Sequence, residues 1–379
     1  MFGVWKGRPR WSVPITAAST ARGRVFSPLD EELALRHDHL SDGAARVATR
    51  KAIRSLSFEE AAADYEDSVG VPISRMSVWR VAVEAGHLLS AEKRREAVQA
   101  DRVAERGEGP RTLRVAQDNP IEDQANISSD GVMVRLRDEG WKEAKMAAVS
   151  AVQVTSPKGR QLGERPGRRD FDPQVKLYQH SYVAGVWDAD EFASYQYAEG
   201  LRRGLDKVET LTSVNDGAPW IGRVTQTNWP EALQILDWPH ASGHLYYMAK
   251  AVWGEGNTQG KQWADARVHE LWSGRVENVL RELGKLNLAH FDWPEGEANP
   301  RGYFEDNADR MRYDLFRDAG YPIGSGTVES GAKNMVQSRM RRPGRGWRRD
   351  NADGIMALLG EYYSGRFREA WKRVSKTRI

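Results

Sequence analysis

Three acidic residues stand in sequence contexts that favour chemistry over surface charge. They are Asp130 in Ser-Ser-Asp-Gly-Val-Met-Val, Asp216 in Val-Asn-Asp-Gly-Ala-Pro-Trp-Ile, and Glu329 in Ile-Gly-Ser-Gly-Thr-Val-Glu-Ser. If folding brings them together, two aspartates and one glutamate form an oxygen-only cage for two Mg²⁺ ions, which Mn²⁺ could replace. Such a cage suits phosphodiester chemistry on nucleic acid, with the three acids as metal ligands and catalytic residues.

The spacing of these acids does not prove the arrangement, because positions 130, 216 and 329 are 86 and 113 residues apart. Asp-Gly is also a common turn signal, so structural turns are the alternative explanation for Asp130 and Asp216. However, each aspartate closes an apolar, β-prone run, which predicts a carboxylate at a strand end. Glu329 falls in the first turn of a predicted helix, where the helix dipole favours an acid. We interpret Asp353-Gly354 as a plain loop or helix boundary.

A further acid, Asp237, precedes the densest histidine cluster of the chain, His240 and His244. Four residues apart on a helix, the two histidines would share one face. Three interpretations are open: a zinc site, a structural hydrogen-bonding role, and a role bordering the acidic site. The metalloprotease His-Glu-x-x-His motif is absent, because Ala241 occupies the position of its glutamate.

Basic residues concentrate in one part of the sequence. Residues 331–379 contain 13 Lys+Arg against 4 Asp+Glu. The densest group is Arg339, Arg341, Arg342, Arg345, Arg348 and Arg349. A charge run is commonly a solvated helix face. The use of arginine rather than lysine, with Trp347 among the residues, instead favours binding to DNA phosphates.

Residues 28–105 have helical periodicity and contain a candidate helix-turn-helix at 57–86. Ser57 and Glu60 form a capping box, and Gly70 is suited to end the first helix. A second helix, capped by Ser74 or Ser77, is expected to run to Gly86. In a DNA reader, Ser74, Arg75, Ser77 and Arg80 would face the major groove. Two short capped helices also occur in any helical bundle, which is the alternative.

The rest of the chain alternates strand and helix patterns, which predicts a mixed α/β sheet. Strands are expected at 111–115, 125–136, 144–154, 210–214 and 233–236, and helices at 189–204, 241–318, 325–340 and 345–368. The absence of cysteine excludes disulfides, iron–sulfur clusters and thiolate zinc sites, and it fits a reducing cytoplasm. No apolar run is long enough to span a membrane. Residues 1–27 form a basic, acid-free segment that we interpret as an arm.

Several stretches carry a resemblance to a known family. They are Pro28–Leu33, Asp130-Gly131-Val132-Met133, Trp141–Lys145, Asn215–Ile221, Leu236–Ala241, Pro322–Ser330 and Arg345-Gly346-Trp347. Their order is collinear over about residues 26–371. In these stretches the chain is similar to bacterial insertion-sequence transposases of the DDE class, and it most closely resembles the ISKra group.

The resemblance implies an RNase H-like α/β core in which Asp130, Asp216 and Glu329 bind the metal ions. Asp237 and His240 match the Cys/Asp-x-x-His signature of related transposases, which implies a place beside the active site. The implied organisation is a basic arm (1–27), an all-α DNA-binding region (28–108), a first part of the core (109–240), a helical insertion (241–320), and the final part with Glu329 and the basic helices (321–379).

The function that the resemblance implies is Mg²⁺-dependent cleavage at transposon ends, followed by strand transfer to target DNA. The expected partners are double-stranded DNA, at terminal inverted repeats and at the target, and a second copy of the chain, since two ends must be paired. The expected location is the bacterial cytoplasm, in association with the nucleoid. Two alternatives remain: a non-catalytic DNA-binding protein derived from a transposase, and a host nuclease with the same core.

Overall fold

The computed structural model of the chain describes residues 40–105, 118–156, 173–286, 300–342 and 346–377. Within the chain there are two compact units, Met1–Ala82 and Val83–Ile379. The predicted basic arm, the Pro28–Leu33 stretch, the strand expected at 111–115 and Arg345 lie outside the described residues.

The first unit contains helices α1 (Asp42–Arg54) and α2 (Phe58–Val69) and the start of α3 (Arg75–Glu105). Ser57 accepts a hydrogen bond from the Glu60 N–H at 3.0 Å, which fixes the start of α2 as the capping pattern predicts. Gly70 ends that helix in the left-handed region, with φ at 76°. Ser74 Oγ accepts the Ser77 N–H at 3.0 Å, so Ser74 caps the second helix.

The prediction that this second helix ends at Gly86 is wrong, since α3 runs on to Glu105. Gly86 serves close packing instead: a Cβ there would lie 2.7 Å from the backbone of Gly354. Asp353 and Gly354 are likewise inside a helix, Arg349–Tyr363, and not in a loop or at a helix boundary. Two helices therefore approach so closely at these glycines that neither position has room for a side chain.

The second unit is built on a five-stranded mixed sheet. Its strands are β1 (Gln124–Leu136), β2 (Gly140–Thr155), β3 (Gln174–Gly185), β4 (Thr210–Asn215) and β5 (Leu233–Leu236), in the order β3-β2-β1-β4-β5. Antiparallel pairing joins β1 to β2 and β2 to β3, whereas β4 pairs parallel with both β1 and β5. This confirms the predicted α/β class with a mixed sheet.

Strand β3 was not expected from the sequence. Its first four residues alternate polar and apolar side chains with matching alternation of exposure, so a local strand signal was present and was missed. Its assignment comes from pairing along β2, from Lys145 opposite Gly185 to Thr155 opposite Gln174. The sequence patterns for β1, β2, β4 and β5 place those strands close to their observed bounds.

Helices flank the sheet. They are α4 (Ala189–Arg202), α5 (Pro219–Asn228), α6 (Trp238–Trp253), α7 (Thr258–Trp272), α8 (Val276–Leu283), α9 (Pro300–Asp306), α10 (Tyr313–Asp318), α11 (Gly326–Gly331), α12 (Ser338–Met340), α13 (Arg349–Tyr363) and α14 (Phe367–Lys376). A π-helical segment, Ala332–Gln337, joins α11 to α12. In the part of the chain that the structure describes, no helix combines the length and apolar character needed to cross a membrane.

The helices between β5 and α11 have an apolar core that continues into the sheet. Leu245 and Met248 of α6 pack with Val276, with Tyr313 and with Leu236 at the end of β5. Tyr313 also donates its hydroxyl to the Leu236 carbonyl at 2.9 Å. This shared core fixes the inserted helices against the edge of the sheet from which the candidate site is built.

Candidate active site

Asp130 is the seventh residue of β1, so it lies within the strand expected at 125–136 and not at a strand end as its apolar run suggested. The reason is that β1 continues beyond Asp130 to pair with β2 as far as Leu136 opposite Gly140. The Asp130 Oδ1 accepts the Gly131 N–H at 2.7 Å. A Cβ at Gly131 would meet the Glu143 carboxylate on β2, so that side chain would have to move aside.

Asp216 directly follows β4, which agrees with its predicted place at a strand end. Its Oδ1 accepts the Ala218 N–H at 2.9 Å, and its carbonyl accepts the Tyr303 hydroxyl at 3.0 Å. The neighbouring Asn215 accepts the Ser129 N–H through Oδ1 at 2.6 Å. This bond joins the end of β4 to the residue before Asp130, so the two aspartates are held on adjacent strands.

Glu329 lies in the first turn of α11, as the sequence indicates. The Ser325 hydroxyl donates to the Glu329 Oε1 at 2.7 Å. Two residues along, a Cβ on Gly331 would lie 2.9 Å from both the Met146 side chain on β2 and the Tyr182 ring on β3. The small residue therefore lets this helix lie close against the sheet, which positions the glutamate over the strands.

The three acids line one cavity of about 650 Å³, so folding brings together residues far apart in the sequence. Each uses one carboxylate oxygen in a hydrogen bond. The described residues donate no hydrogen bond to the second oxygen of any of the three. Burial, followed by the negative charges of Asp216 and Glu329, raises the pKa of Asp130 to about 6. The cavity therefore gathers three acids, whose charge His240 and Lys333 in the same lining compensate only in part.

Asp237 and His240 lie beside this cavity and not apart from it. Asp237 is fully buried at the start of α6, and its Oδ2 accepts the His240 N–H at 2.9 Å and faces the ring Nδ1 at 2.7 Å. Its Oδ1 accepts the Ser325 N–H at 2.6 Å. The His240 Nδ1 lies 3.8 Å from the Glu329 Oε1. Ser325 thus links Asp237 to Glu329, while Asp237 orients the histidine.

The pKa values of this pair follow from their contact. Burial alone would raise the pKa of Asp237, but hydrogen bonds from His240 and Ser325 outweigh it and hold that pKa below its usual range. The hydrogen bond to Asp237 raises the pKa of the His240 imidazole above its usual value. Asp216 and Glu329 add to that increase with their charges. The protonated form of His240 is therefore favoured more than in a free imidazole.

The zinc interpretation gains little from this geometry. Among the described residues, Asp237, His240 and Glu329 offer ligand atoms within 4.8 Å of one another, close enough to hold a metal ion. Both oxygens of Asp237 are already engaged in hydrogen bonds, however. His244 is not in that group, and its ring instead lies 4.3 Å from the ring of Tyr303. The arrangement favours a role for Asp237 in orienting His240.

Sequence reasoning missed several residues that complete the cavity. Lys333, Asn334 and Gln337 line it on the helix that carries Glu329. A signal for two of them was present, because positions 329, 333 and 337 recur every four residues and so share a helix face. Ser325 had no comparable signal, since its bonds to Asp237 and Glu329 span different parts of the chain.

The predicted DNA-contacting arginines of the second unit fall into different environments. Arg341 and Arg348 are exposed. Arg339 is only 3 % exposed, and its guanidinium lies 5.1 Å from the ring centre of Trp347. Arg342 donates to the Ser338 carbonyl at 3.0 Å, and Arg349 pairs with the Glu139 carboxylate. Arg341 also lies 5.8 Å above the exposed ring of Trp141, so arginine and aromatic surface occur side by side.

In the first unit, Arg75 and Arg80 are exposed on α3, and Ser77 is partly covered. The Ser77 hydroxyl lies 2.9 Å from that of Ser74. Arg75, Ser77 and Arg80 therefore occupy the first two turns of the second helix of the helix-turn-helix candidate, and Ser74 caps it. A recognition helix uses the same position.

No protein-family model matches the chain, and the curated proteins include no match to it.

Proposed function

We propose that the chain is a metal-dependent DNA transposase of the DDE class, related to the ISKra group of insertion sequences. It would cleave DNA at transposon ends and join the freed 3′ ends to target DNA. The observation that carries this proposal is the convergence of Asp130, Asp216 and Glu329 on one cavity, although they are 86 and 113 residues apart in the sequence.

The architecture supports the proposal. A five-stranded mixed sheet flanked by helices is compatible with the RNase H-like core that the resemblance implies. Asp130 is on the central strand β1, Asp216 follows the adjacent parallel strand β4, and Glu329 is on the helix after the inserted helices. The order of these elements matches the expectation of an insertion placed before the glutamate-bearing helix.

The donor set fits Mg²⁺. Carboxylate oxygens are the ligands that this hard cation prefers, and each of the three acids has one oxygen without a hydrogen bond from the described residues. The pKa of Asp130 is raised partly by the charges of its two neighbours, and a divalent cation would relieve that repulsion. Asp130 and Asp216 would share one ion, and Glu329 would complete the site of a second. When bound, the ions supply an activated attacking oxygen and stabilise the leaving oxygen.

The surrounding side chains orient the DNA. Asp237 fixes the imidazole of His240 at the edge of the cavity, where a cation favours an approaching phosphate. Lys333 and the amides of Asn334 and Gln337 line the same cavity and can donate hydrogen bonds to the DNA backbone. These contacts would hold the scissile phosphate next to the acids without reading the base sequence.

DNA binding away from the cavity would use exposed arginines. Arg341 and Arg348 in the second unit suit phosphate contacts, whereas Arg75, Ser77 and Arg80 in the first unit suit contacts in the major groove. Binding would weaken steeply as salt concentration rises, because each phosphate contact releases counterions. Pairing two transposon ends would require a second copy of the chain, and such a protein would associate with the nucleoid.

The test is cleavage of DNA that carries the genomic sequence flanking the gene. The purified chain should nick or excise this DNA with Mg²⁺ or Mn²⁺ and not with EDTA. Replacing Glu329→Gln should reduce the cleavage rate by about a thousandfold, since metal ions contribute several kcal/mol to transition-state stabilisation. The matched control is Glu305→Gln, because both glutamate side chains are 47 % exposed and Glu305 pairs with Arg301 in the inserted helices, away from the cavity lining.

Three outcomes would contradict the proposal. Full activity of the Glu329→Gln variant would remove the role given to the acid. Salt-dependent DNA binding with no detectable product would identify a non-catalytic DNA-binding protein. Equal cleavage of the flanking DNA and of random duplex would instead indicate a nuclease without selectivity for ends.

A further inference from the structure

The last part of β1 and the first part of β2 form a two-stranded ribbon that extends beyond the rest of the sheet. Strand β4 pairs with β1 only as far as Ile127, and β3 ends opposite Lys145 of β2. Beyond these points, residues 131–144 have only each other and Trp347 as strand partners among the described residues. The ribbon therefore exposes side chains that neighbouring strands would otherwise cover.

The ribbon holds a tryptophan in solvent. Of the tryptophans that the structure describes, Trp141 is the one that is exposed, with 54 % of its surface accessible. Arg135 stands directly opposite Trp141 in the antiparallel register, so the two side chains share one face of the ribbon. Met133 is on the same face and is 44 % exposed. Because tryptophan is highly buried on average, an indole in this position indicates a surface that another molecule covers.

Backbone hydrogen bonds fix the ribbon from one side. The Trp347 N–H donates to the Arg135 carbonyl at 3.1 Å, and the Arg137 N–H donates to the Trp347 carbonyl at 2.9 Å. The Arg137 Nε also donates to the Gly346 carbonyl at 2.9 Å. The exposed indole therefore belongs to an ordered strand, and a ligand that binds there does not have to order the backbone first.

The cations around Trp141 are exposed as well. Arg135, Lys142 and Arg341 are all accessible to solvent. The Arg341 guanidinium lies 5.8 Å from the centre of the Trp141 ring, within the range of a cation–π contact. The indole and the positive charges thus form one continuous surface, which we call the ribbon end.

The acids of the ribbon do little to offset these cations. Glu139 is paired with Arg349, and Glu143 is paired with Lys145 at 2.5 Å. Asp138, at the turn, is the remaining acid. The ribbon end therefore carries an excess of positive charge, which attracts a polyanion.

An unpaired DNA strand fits the ribbon end better than a duplex does. Within a duplex the bases present only their edges in the grooves, so an indole ring has no base face to contact. In an unpaired strand, a base can stack on an exposed aromatic ring while neighbouring cations follow the backbone. More than half of Trp141 is accessible beside Arg341, so both kinds of contact are available at one place.

We propose that the ribbon end binds an unpaired DNA strand, with one base stacked on Trp141 and the flanking phosphates held by Arg135 and Arg341. This inference rests on the proposed function, because that function brings DNA to the second unit. None of these three residues lines the cavity of the acids.

The ribbon end is separate from the cavity in distance and in direction. Arg135 is five residues beyond Asp130, about 17 Å along β1, and an odd separation places the two side chains on opposite faces of the strand. A strand that reached from the cavity to Trp141 would pass the edge of the ribbon. It would therefore span at least about five nucleotides, at about 3.4 Å for each phosphate.

The experiment titrates the full chain, in EDTA, with a fluorescently labelled oligothymidine and with a labelled blunt duplex of the same length. Fluorescence anisotropy measures the two affinities, and EDTA removes binding that depends on metal ions in the cavity. Trp141→Ala should weaken binding of the single strand about tenfold or more, as expected for the loss of one stacked base. It should leave the duplex affinity unchanged. Trp141→Phe, which keeps an aromatic ring, should restore most of the affinity for the single strand.

Two further variants serve as controls. Tyr178→Ala removes another exposed aromatic ring, since Tyr178 is 39 % exposed on β3 and pairs opposite Ala151, outside the ribbon. It should leave both affinities unchanged. Arg341→Gln should weaken binding of both DNAs and reduce the dependence on salt, because it removes a phosphate contact and not the stacking ring. Ultraviolet crosslinking of a strand that contains bromodeoxyuridine should attach the DNA to the peptide that contains Trp141.

Unchanged affinity of Trp141→Ala for the single strand would overturn the proposal, and so would crosslinks confined to the lining of the cavity. Self-association of the wild type that Trp141→Ala abolishes, with DNA binding intact, would instead identify the ribbon end as an interface between two copies of the chain. Each of these results leaves the transposase proposal standing, because none depends on metal or on cleavage. Failure of the wild type to bind either DNA would contradict both proposals.

Discussion

The second unit contains two clusters of charged side chains, and the clusters differ in how fully opposite charges are paired. In the cavity of the candidate site, three acids (Asp130, Asp216 and Glu329) share the lining with one lysine, Lys333, and with His240. In the buried ion network, Glu199 and Glu361 alternate with Lys93, Arg202 and Arg366 at distances of 2.6–3.5 Å. The acids of the first cluster are only partly compensated, whereas the second cluster is complete.

The pKa values express this difference. Burial and neighbouring acids raise the pKa of Asp130 to about 6. Burial would also raise the pKa of Glu361, but Lys93 and Arg366 outweigh it and hold that pKa far below its usual range. A complete network stabilises the fold, whereas an incomplete one is available to a cation. Incomplete compensation of the acidic charge, and not the presence of buried charge, therefore identifies the candidate site.

The strongest test of this comparison is to break the ion network. Replacing Arg366→Met should lower the free energy of unfolding by about 3–5 kcal/mol, because it leaves Glu199 and Glu361 buried without their shared partner. Urea denaturation measures the change. Arg223→Gln, which breaks an exposed pair with Asp190, should change stability by less than about 1 kcal/mol. Equal effects of the two variants would show that the network is not a stabilising centre.

Asp353 is a buried acid that does not line the cavity, so its pKa reports the effect of burial without the charges of the cavity acids. Burial raises its pKa to about 6, against the opposing effects of the Val186 N–H and Arg349. Because the folded state holds this proton more tightly than the unfolded chain, the stabilising contribution is present below about pH 4 and is lost as pH rises through 6. The stability of Asp353→Asn relative to wild type should therefore increase by about 2–3 kcal/mol between pH 4 and 7. Denaturation curves across that range measure it, and a constant difference would refute it.

The smallest expected effect comes from removing one charge of the cavity. In metal-free protein, Asp216→Asn should raise the free energy of unfolding by about 1 kcal/mol through relief of like-charge repulsion. It should also lower the pKa of Asp130, although not to the usual value, since burial is the largest cause of the increase. Carboxyl ¹³C NMR titration measures that pKa. The stability gain should appear above pH 6, where Asp130 is ionised, and its absence there would mean that the acids do not interact.

Much of the sheet and the start of the site could be predicted from local sequence. The apolar runs before Asp216 and across Asp130 identify β4 and β1, because hydrophobic and β-branched residues mark strands locally. Glu329 could be placed in a first helical turn because Ser325 and the glycines beside it signal a helix start. Ser57 and Gly70 fix α2 for the same reason: a cap needs only its own few residues.

Other features depended on contacts that the sequence does not express. Gly86 has the composition of a helix end, yet it lies inside α3 because Gly354 packs against it from another helix. The role of Ser325 is set by its bonds to Asp237 and Glu329, which lie in other parts of the chain. The contact between Arg341 and Trp141 likewise becomes visible only when distant parts of the chain lie side by side.

The sequence by itself therefore determined which residues could ligate hard cations, which segments form the strands and helices that carry them, and where most of those segments begin. Only the tertiary structure decided that the three acids meet in one cavity, that Asp237 is turned toward His240, and that Arg341 lies beside an exposed Trp141. The physical reason is that propensity and capping act over a few neighbouring residues. Compensation of charge, in contrast, depends on distances between atoms that the chain brings together only when it folds.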